Sequence, residues 1–380
     1  MTALPGISRA TPDPVQDAAF MRAALALAAR GLGNTWPNPS VGCVITRDGA
    51  VVGRGWTAPG GRPHAETEAL KRAGHAARGA TAYVTLEPCC HWGRTPPCTD
   101  ALIAAGVARV VVAMRDPDPR VDGGGLEKLR AAGVSVSVGL LEAEARAINA
   151  GFVKVATRNL PLVTLKLAST LDGRIATRTG ESQWITGPAA RRTAHALRGR
   201  HDAVLVGSGT VLADDPELSC RIPGFARVPT VRVVADARLR MPATARMLRE
   251  GEGAVWIATR PGHPEAALAP LREAGATLIE VPPDAAAGQG LDAGALLRAL
   301  AARGLTRILA EGGAGLAAAL LRDAGLVDRL AWFHAPAVIG GDGRPALDAL
   351  PLELLSAMPR YRRTSLALPG PDLLSEFEAA

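Results

Sequence analysis

The tightest constraint on this chain is a set of side chains that must meet although the sequence keeps them apart: His64-Ala65-Glu66, then Glu87-Pro88-Cys89-Cys90, then Pro96-Pro97-Cys98. One imidazole and two thiolates hold zinc in a tetrahedral frame and leave its fourth position open. Water in that position loses a proton near neutral pH. Displacing an exocyclic amine also needs a proton shuttle, and Glu66, a carboxylate two residues from a ligand, is placed for it. The pattern H-x-E…P-C-x-x-C is the signature of zinc deaminases. Spacing leaves open which of Cys89 and Cys90 binds; Cys89 directly follows Pro88, as in the signature, and is the expected ligand. Eight residues, not two, separate Cys89 from Cys98. Segment 90–97 must therefore loop out, which puts His91 and Arg94 over the substrate opening, where either suits a phosphate or a ring carbonyl. A closed structural site with His91 as fourth ligand is the bland alternative, but it gives Glu66 no purpose.

Around these residues the pattern alternates between strands and helices. Residues 15–30 read as a helix ending at Gly31, and 41–46 and 51–56 as a hairpin around Arg47-Asp48-Gly49. A helix is expected over 64–73, strands over 82–86, 110–114 and 134–138, and helices over 99–105 and 142–156. This implies a layered α/β domain. The boundary falls near Arg158-Asn159-Leu160-Pro161, giving domains 1–157, with 1–14 as a flexible tail, and 158–380. In the second, strands are expected at 162–167, 203–206, 231–235, 254–258, 277–281 and 307–310, helices at 188–198, 264–274, 293–302 and 316–323, and a surface loop at 282–290. The turn Asn38-Pro39-Ser40-Val41-Gly42 is either a plain turn or a place where Asn38 meets a polar base edge.

Composition narrows the partners. Lys and Arg number 43 against 36 Asp and Glu, which suits an anionic ligand. There is no basic run, and two Tyr and five Phe are too few for a stacking platform, so nucleic acid is not expected. A phosphorylated small molecule is. The N-terminus lacks an apolar signal region and no stretch is long enough to span a membrane. Three cysteines within 89–98 suggest a metal site in a reducing compartment, hence the cytoplasm.

The second half has no metal-donor cluster. It carries Lys166 on an apolar strand, where a buried ammonium needs a partner or a function. Arg198 and Arg221 lie near loops fit for a phosphate, and Asp214-Asp215 serves equally as a turn or cap. The glycines of Glu311-Gly312-Gly313-Ala314-Gly315 follow a strand and precede a helix, so backbone amides there can approach a phosphate. Residues alone say only that this half binds a phosphorylated ligand.

Asn38-Pro-Ser-Val-Gly, His64-Ala-Glu and Thr85-Leu-Glu-Pro-Cys-Cys-His-Trp-Gly-Arg-Thr-Pro-Pro-Cys98 closely resemble the bifunctional deaminase–reductases of bacterial riboflavin biosynthesis. Leu171-Asp-Gly-Arg-Ile-Ala, Ser182-Gln-Trp-Ile-Thr, Thr210-Val-Leu-Ala-Asp-Asp-Pro and Glu311-Gly-Gly follow in the same order. The resemblance implies a cytidine-deaminase-like three-layer α/β/α domain followed by a dihydrofolate-reductase-like α/β domain. The first would deaminate a phosphoribosylated diaminopyrimidinone with zinc. The second would reduce the ribosyl group to ribityl with NADPH, and the chains would associate through it as a homo-oligomer. By motif match His64, Cys89 and Cys98 hold zinc, Glu66 shuttles protons, and Asn38, His91 and Arg94 line the deaminase pocket. Ser182, Arg198, Leu218, Arg221 and Glu311 match substrate positions; Ala168, Trp184, Thr210, Asp214, Gly313, Ala314 and Gly315 match coenzyme positions; Lys166 and Asp214 match polar residues beside the reacting sugar. Cys90 stands where serine is common, Arg94 where lysine is frequent, and Ala237 where a coenzyme-contacting serine can occur. The rival reading is a nucleic-acid-editing zinc deaminase with a basic binding domain.

Overall fold

A computed structural model of the chain describes residues 13–93, 95–118, 121–285 and 290–380. The chain divides into two compact units, Met1–Arg158 and Asn159–Ala380. The expected tail lies almost wholly outside the described residues, as does the centre of the 282–290 loop, which is flanked by a bridge from Pro283 to Leu291.

The first unit runs α1 (Pro14–Ala28), β1 (Gly42–Arg47), β2 (Ala50–Trp56), α2 (Ala65–Ala73), β3 (Thr81–Val84), α3 (Cys98–Ala104), β4 (Arg109–Val112), α4 (Gly124–Ala131), β5 (Ser135–Val138), α5 (Glu142–Ile148) and α6 (Ala150–Arg158). Asp13 caps α1 by accepting from the Val15 and Gln16 N–H groups, with Pro14 at the first helical position. The sheet order is β2-β1-β3-β4-β5, with β1 antiparallel to both neighbours and β3, β4 and β5 parallel. Two glycines set its layers. A Cβ on Gly42 would stand 1.9 Å from the Ala24 carbonyl of α1, and one on Gly55 would stand 2.3 Å from the Ala65 carbonyl of α2. Gly55 pairs with Cys43, so Gly42 and Gly55 face opposite ways, and α1 and α2 cover opposite faces. Helix α5 lies with α1; α3 and α4 continue the α2 side. Val44, Ile45, Val84, Val110 and Val112 fill the core between them.

Two features differ from expectation. Helix α4 forms where Asp122-Gly123-Gly124-Gly125 promised no element, and the helix expected over 142–156 is two, split at Asn149. Both have non-local causes, given below.

The second unit contains β6 (Leu162–Thr170), β7 (Arg174–Ala176), α7 (Pro188–Gly199), β8 (Ala203–Gly207), α8 (Ser208–Asp214), β9 (Val231–Ala235), α9 (Arg246–Arg249), β10 (Val255–Thr259), α10 (Glu265–Glu273), β11 (Thr277–Glu280), α11 (Ala293–Ala301), β12 (Arg307–Glu311), α12 (Ala314–Arg322), β13 (Arg329–Ala335), β14 (Arg344–Pro345), β15 (Tyr361–Ala367) and β16 (Leu373–Ala379). One sheet runs β11-β10-β9-β8-β12-β6-β13-β16-β15. Strands β11 to β13 in that order are parallel, and β16 runs against both neighbours. All six expected strands are present; β13, β15 and β16 were not anticipated, because they lack the β-branched runs that mark the others. Among the described residues no helix is long and apolar enough to cross a membrane.

Because α2 rests directly on Gly55, Gly55→Ala should overpack that contact and lower stability by about 1–3 kcal/mol in a urea melt. An unchanged midpoint would show that α2 does not depend on this close approach.

Candidate functional site

In the first unit three donors converge. His64 is the N-cap residue of α2, with extended backbone (φ −73°, ψ 161°), so its imidazole stands beside the helix start. Nδ1 lies 3.3 Å from Cys98 Sγ and 3.7 Å from Cys89 Sγ. Cys98 opens α3, and its N–H donates to Cys89 Sγ at 3.3 Å. One donor atom from each of His64, Cys89 and Cys98 lies within 4.8 Å of the other two. Cys90 is not among them; its sulfur lies toward the start of α4, 3.2 Å from where a Gly124 Cβ would be. The donor set, one nitrogen and two sulfurs, is one that zinc accepts with a position to spare.

The electrostatics suit such a charge. A hydrogen bond from the Cys98 thiol, and after it the His64 imidazole, brings Cys89 down to about 4 against the opposing effect of burial. Glu66, in the first turn of α2, is 3% exposed and is not one of the three donors. Burial first, and then the neighbouring Cys89 thiolate, push its carboxyl up to about 7. A carboxyl poised there can both take and return a proton at neutral pH.

Two clamps fix the frame, and local sequence reading does not find either. The Glu87 carboxylate is 3% exposed and accepts four backbone N–H groups: Asp116 at 3.3 Å and Gly123 at 3.2 Å on Oε2, Gly125 at 3.0 Å and Leu126 at 3.2 Å on Oε1. It thereby caps α4, which explains a helix that begins with glycines. The Thr99 N–H and hydroxyl both donate to the Cys89 carbonyl at 3.2 Å. The second clamp is Asn149, whose side chain accepts from Ser40 N–H at 2.9 Å and donates to the Ser40 carbonyl at 3.1 Å. This pairing breaks the α5–α6 run and holds the Asn38 turn. The Asn38 amide in turn lies against Gly61, three residues before His64: Nδ2 is 1.9 Å from a Cβ built there. His91 is half-buried, and its Nδ1 is buried without a hydrogen-bond partner. Arg94 lies outside the described residues.

In the second unit Lys166 and Glu311 are register partners on β6 and β12. Arg198, near the end of α7, grips Glu311 with Nε at 2.6 Å from Oε1 and Nη2 at 3.0 Å from Oε2, while Lys166 Nζ is 3.8 Å from Oε2. Burial alone would raise the Glu311 carboxyl, but Arg198 and Lys166 outweigh it and hold it at about 2. Burial lowers the Lys166 ammonium. Asp214 ends α8, raised by burial and opposed by a hydrogen bond with Gln183. That bond ties the Ser182–Thr186 loop to α8. Trp184 is 66% exposed, with the Arg191 guanidinium 4.4 Å over its ring. Arg221 is exposed, its N–H 3.3 Å from His195 Nδ1. Ala168 lies on β6 beyond Lys166. The Leu218 side chain, 3% exposed, packs in the core with Val211 and Met247.

Gly313 caps α12, whose first residues are Ala314 and Gly315. Gly312 has φ +104°, and a Cβ there would stand 2.8 Å from Thr210 Oγ1, so the turn after β12 and the start of α8 touch. That close-packed glycine turn at a helix start fits a dinucleotide's phosphates.

A zinc-binding deaminase unit and a parallel-sheet reductase unit are thus joined in one chain. The family description "Cytidine and deoxycytidylate deaminase zinc-binding region" matches residues 14–114, and "RibD C-terminal domain" matches 161–373. The riboflavin biosynthesis protein RibD of Escherichia coli is 44% identical over 370 residues, 94% of this chain and 98% of that one. That of Aquifex aeolicus is 43% identical over 324 residues, 85% and 88% of the two chains. The structure of Acinetobacter baumannii RibD, form 1, superposes with TM-score 0.87 at 38% identity, over 97% of this chain and all of that one. The chain belongs to the RibD family, the bifunctional deaminase–reductases of riboflavin biosynthesis, which use zinc and NADPH.

Glu311 carries the stability expectation of this region. Its carboxyl is held below its ordinary 4.5, so its contribution is present above that value and is lost as pH falls through about 2. Glu311→Gln should cost about 3–5 kcal/mol at pH 7 by leaving two buried cations unpaired. Urea unfolding at pH 7 and pH 3 checks both the loss and the smaller acid sensitivity of the variant.

Proposed function

We propose that His64, Cys89 and Cys98 hold the zinc and that Glu66 moves the protons of the deamination; the observation that carries this is a buried carboxyl poised near neutrality beside three converging donors. The deaminase is assigned to residues 1–157 and the reductase to 158–380. The solved relative from Thermotoga maritima, 33% identical with TM-score 0.83, is titled a diaminohydroxyphosphoribosylaminopyrimidine deaminase and 5-amino-6-(5-phosphoribosylamino)uracil reductase. We assign the same two substrates here. Zinc, when bound, supplies Lewis-acid activation of water. Glu66 accepts the proton that attacking water gives up and returns it to the departing amine, which leaves as ammonia. Asn38 orients the base edge; His91, through its unpartnered Nδ1, and Arg94 hold the ring carbonyl or the phosphate.

In the reductase, NADPH when bound would supply the hydride for reduction of the ribosyl group. Ala168, Trp184, Thr210, Asp214, Gly313, Ala314 and Gly315 would hold the coenzyme. Ser182, Arg198, Arg221, Glu311 and the Leu218 backbone meet the substrate. Lys166 and Asp214, each shifted toward neutrality by burial, are the proton-handling groups beside the sugar. Thiolate ligands suit the reducing cytoplasm. The partner is a free phosphorylated pyrimidine and not a nucleic acid.

Glu66→Gln should retain one zinc per chain by metal analysis and lose deamination by at least about 100-fold. Cys89→Ser should lose the metal, whereas Cys90→Ser keeps it. Full activity in Glu66→Gln would remove it from the reaction, and turnover of single-stranded nucleic acid would favour an editing enzyme. Homo-oligomerisation through the reductase is supported by the edge strand β15 with its exposed Leu366, and by exposed Leu354, Leu355 and Leu368 in the segments before and after it. Light scattering should report a multiple of the chain mass, reduced by Leu366→Glu with Leu368→Glu; a monomeric wild type overturns this.

A further inference from the structure

Segment 90–97, the insert between two of the converging donors, is held at its ends and not by burial of its middle. The Cys98 N–H donates to Cys89 Sγ, Thr99 donates twice to the Cys89 carbonyl, and the Cys90 sulfur lies toward the start of α4. Between these anchors Trp92 is 74% exposed, and Gly93, Thr95 and Pro96 are exposed as well. Among the described residues one backbone hydrogen bond lies within this stretch, from the Gly93 N–H to the Thr95 carbonyl, and at 3.4 Å it is long. A stretch with so little buried surface and so few hydrogen bonds opens locally at small cost.

One side chain from elsewhere reaches that middle. Arg62 Nη1 donates to Thr95 Oγ1 at 2.5 Å across 33 residues of sequence, and Nη2 lies 3.5 Å from where a Gly93 Cβ would stand. Among the described residues it is the only side chain from another part of the chain that hydrogen-bonds residues 91–96. The Arg62 end of this tie is firm. Its backbone is extended (φ −148°, ψ 146°) and follows the short turn Pro59–Gly61. The Gly60 N–H donates to the Asn34 carbonyl at 2.8 Å, and the Ala58 N–H donates to the Pro63 carbonyl at 3.0 Å. Gly61 lies against the Asn38 amide, and His64, two residues beyond Arg62, meets both cysteine donors. The four residues Gly61–His64 thus touch the Asn38 turn, the insert and the donor cluster in succession. A tie from so fixed a segment to a loop with no other hold decides where the loop rests.

We propose that Arg62 is a positioning residue of the deaminase: by holding Thr95 it keeps segment 90–97 down beside the three donors, and so sets the affinity for substrate and not the rate of the chemical step. The basis is a population. Substrate meets the insert only in its closed arrangement, so apparent affinity falls with the fraction of molecules that are closed. Glu66 sits buried in the first turn of α2, outside the insert, so proton transfer does not depend on the tie. The inference rests on the reading above that the insert carries groups that hold the ring carbonyl or the phosphate.

The test is steady-state deamination of the phosphoribosylated diaminopyrimidinone by the zinc-loaded full-length protein, together with hydrogen exchange of peptides covering residues 90–98. Arg62→Gln and Thr95→Val should each raise KM about 3- to 10-fold, the worth of one hydrogen bond, and change kcat less than about twofold. The double variant should be no worse than either single one, since both remove the same bond. Exchange over 90–98 should quicken in each, while zinc per chain and NADPH-dependent turnover of the deaminated intermediate stay at the wild-type level. Arg62→Lys, which keeps a long cationic donor, should recover most of the lost affinity. Unchanged KM and exchange in both single variants, or fully additive effects in the double one, overturns the tie. A fall in kcat with loss of zinc overturns it too, by making Arg62 a support of His64. If His91→Ala raises KM while Arg62→Gln and Thr95→Val do not, the insert meets substrate and only the tie falls. If none of the three alters KM, the reading of the insert as part of the substrate site falls with it.

Discussion

A single buried carboxylate underlies the deaminase half. Glu87 sits two residues before Cys89, one of the three converging donors, and satisfies four backbone N–H groups from segments the chain reaches only 29 to 39 residues later. Those groups would otherwise be buried without partners, at a cost of about 1–3 kcal/mol each. The exchange is mutual. Glu87 lets a glycine-rich stretch begin a helix, and that helix holds the loop from β3 to Cys89 at one height. The double hydrogen bond from Thr99 to the Cys89 carbonyl then couples the same loop to the start of α3. Donors from three elements converge because the loop between them is pinned on both sides.

The reductase half solves the opposite problem, too many cations and one acid. Lys166 and Arg198 are both largely buried, and each would be untenable alone. Glu311 makes them tenable with a two-pronged hold on the guanidinium and a longer contact to the ammonium. Because Glu311 ends β12 and the glycine turn follows at once, the ion cluster and that turn are fixed by one strand.

Legibility in the sequence follows the range of the interaction. The three converging donors were readable because imidazole and thiol side chains are chemically unmistakable, and the preference for Cys89 over Cys90 followed from the proline before it. The parallel strands of the reductase were readable as short β-branched runs. Helix α4 was not, because its propensity is poor and its cap is Glu87. The break at Asn149 was hidden for the same reason, since its partner Ser40 lies 109 residues earlier. Strands β13 and β16 contain no β-branched residue and β15 only Thr364, so none of them reads as a β-branched run. Leu218 shows the limit of motif matching: a motif names a position, but it does not say that the side chain belongs to the core.

The long insert between Cys89 and Cys98 fits this picture. Lengthening a loop from two residues to eight raises closure entropy by only about 1–1.5 kcal/mol, and the N–H bond from Cys98 to Cys89 Sγ with the Thr99 pair restores the approach. The insert also carries His91, whose Nδ1 is buried without a hydrogen-bond partner. Such a polar atom calls for a partner from outside the chain, whereas the approach of the three donors is met by the contacts at the two ends of the insert.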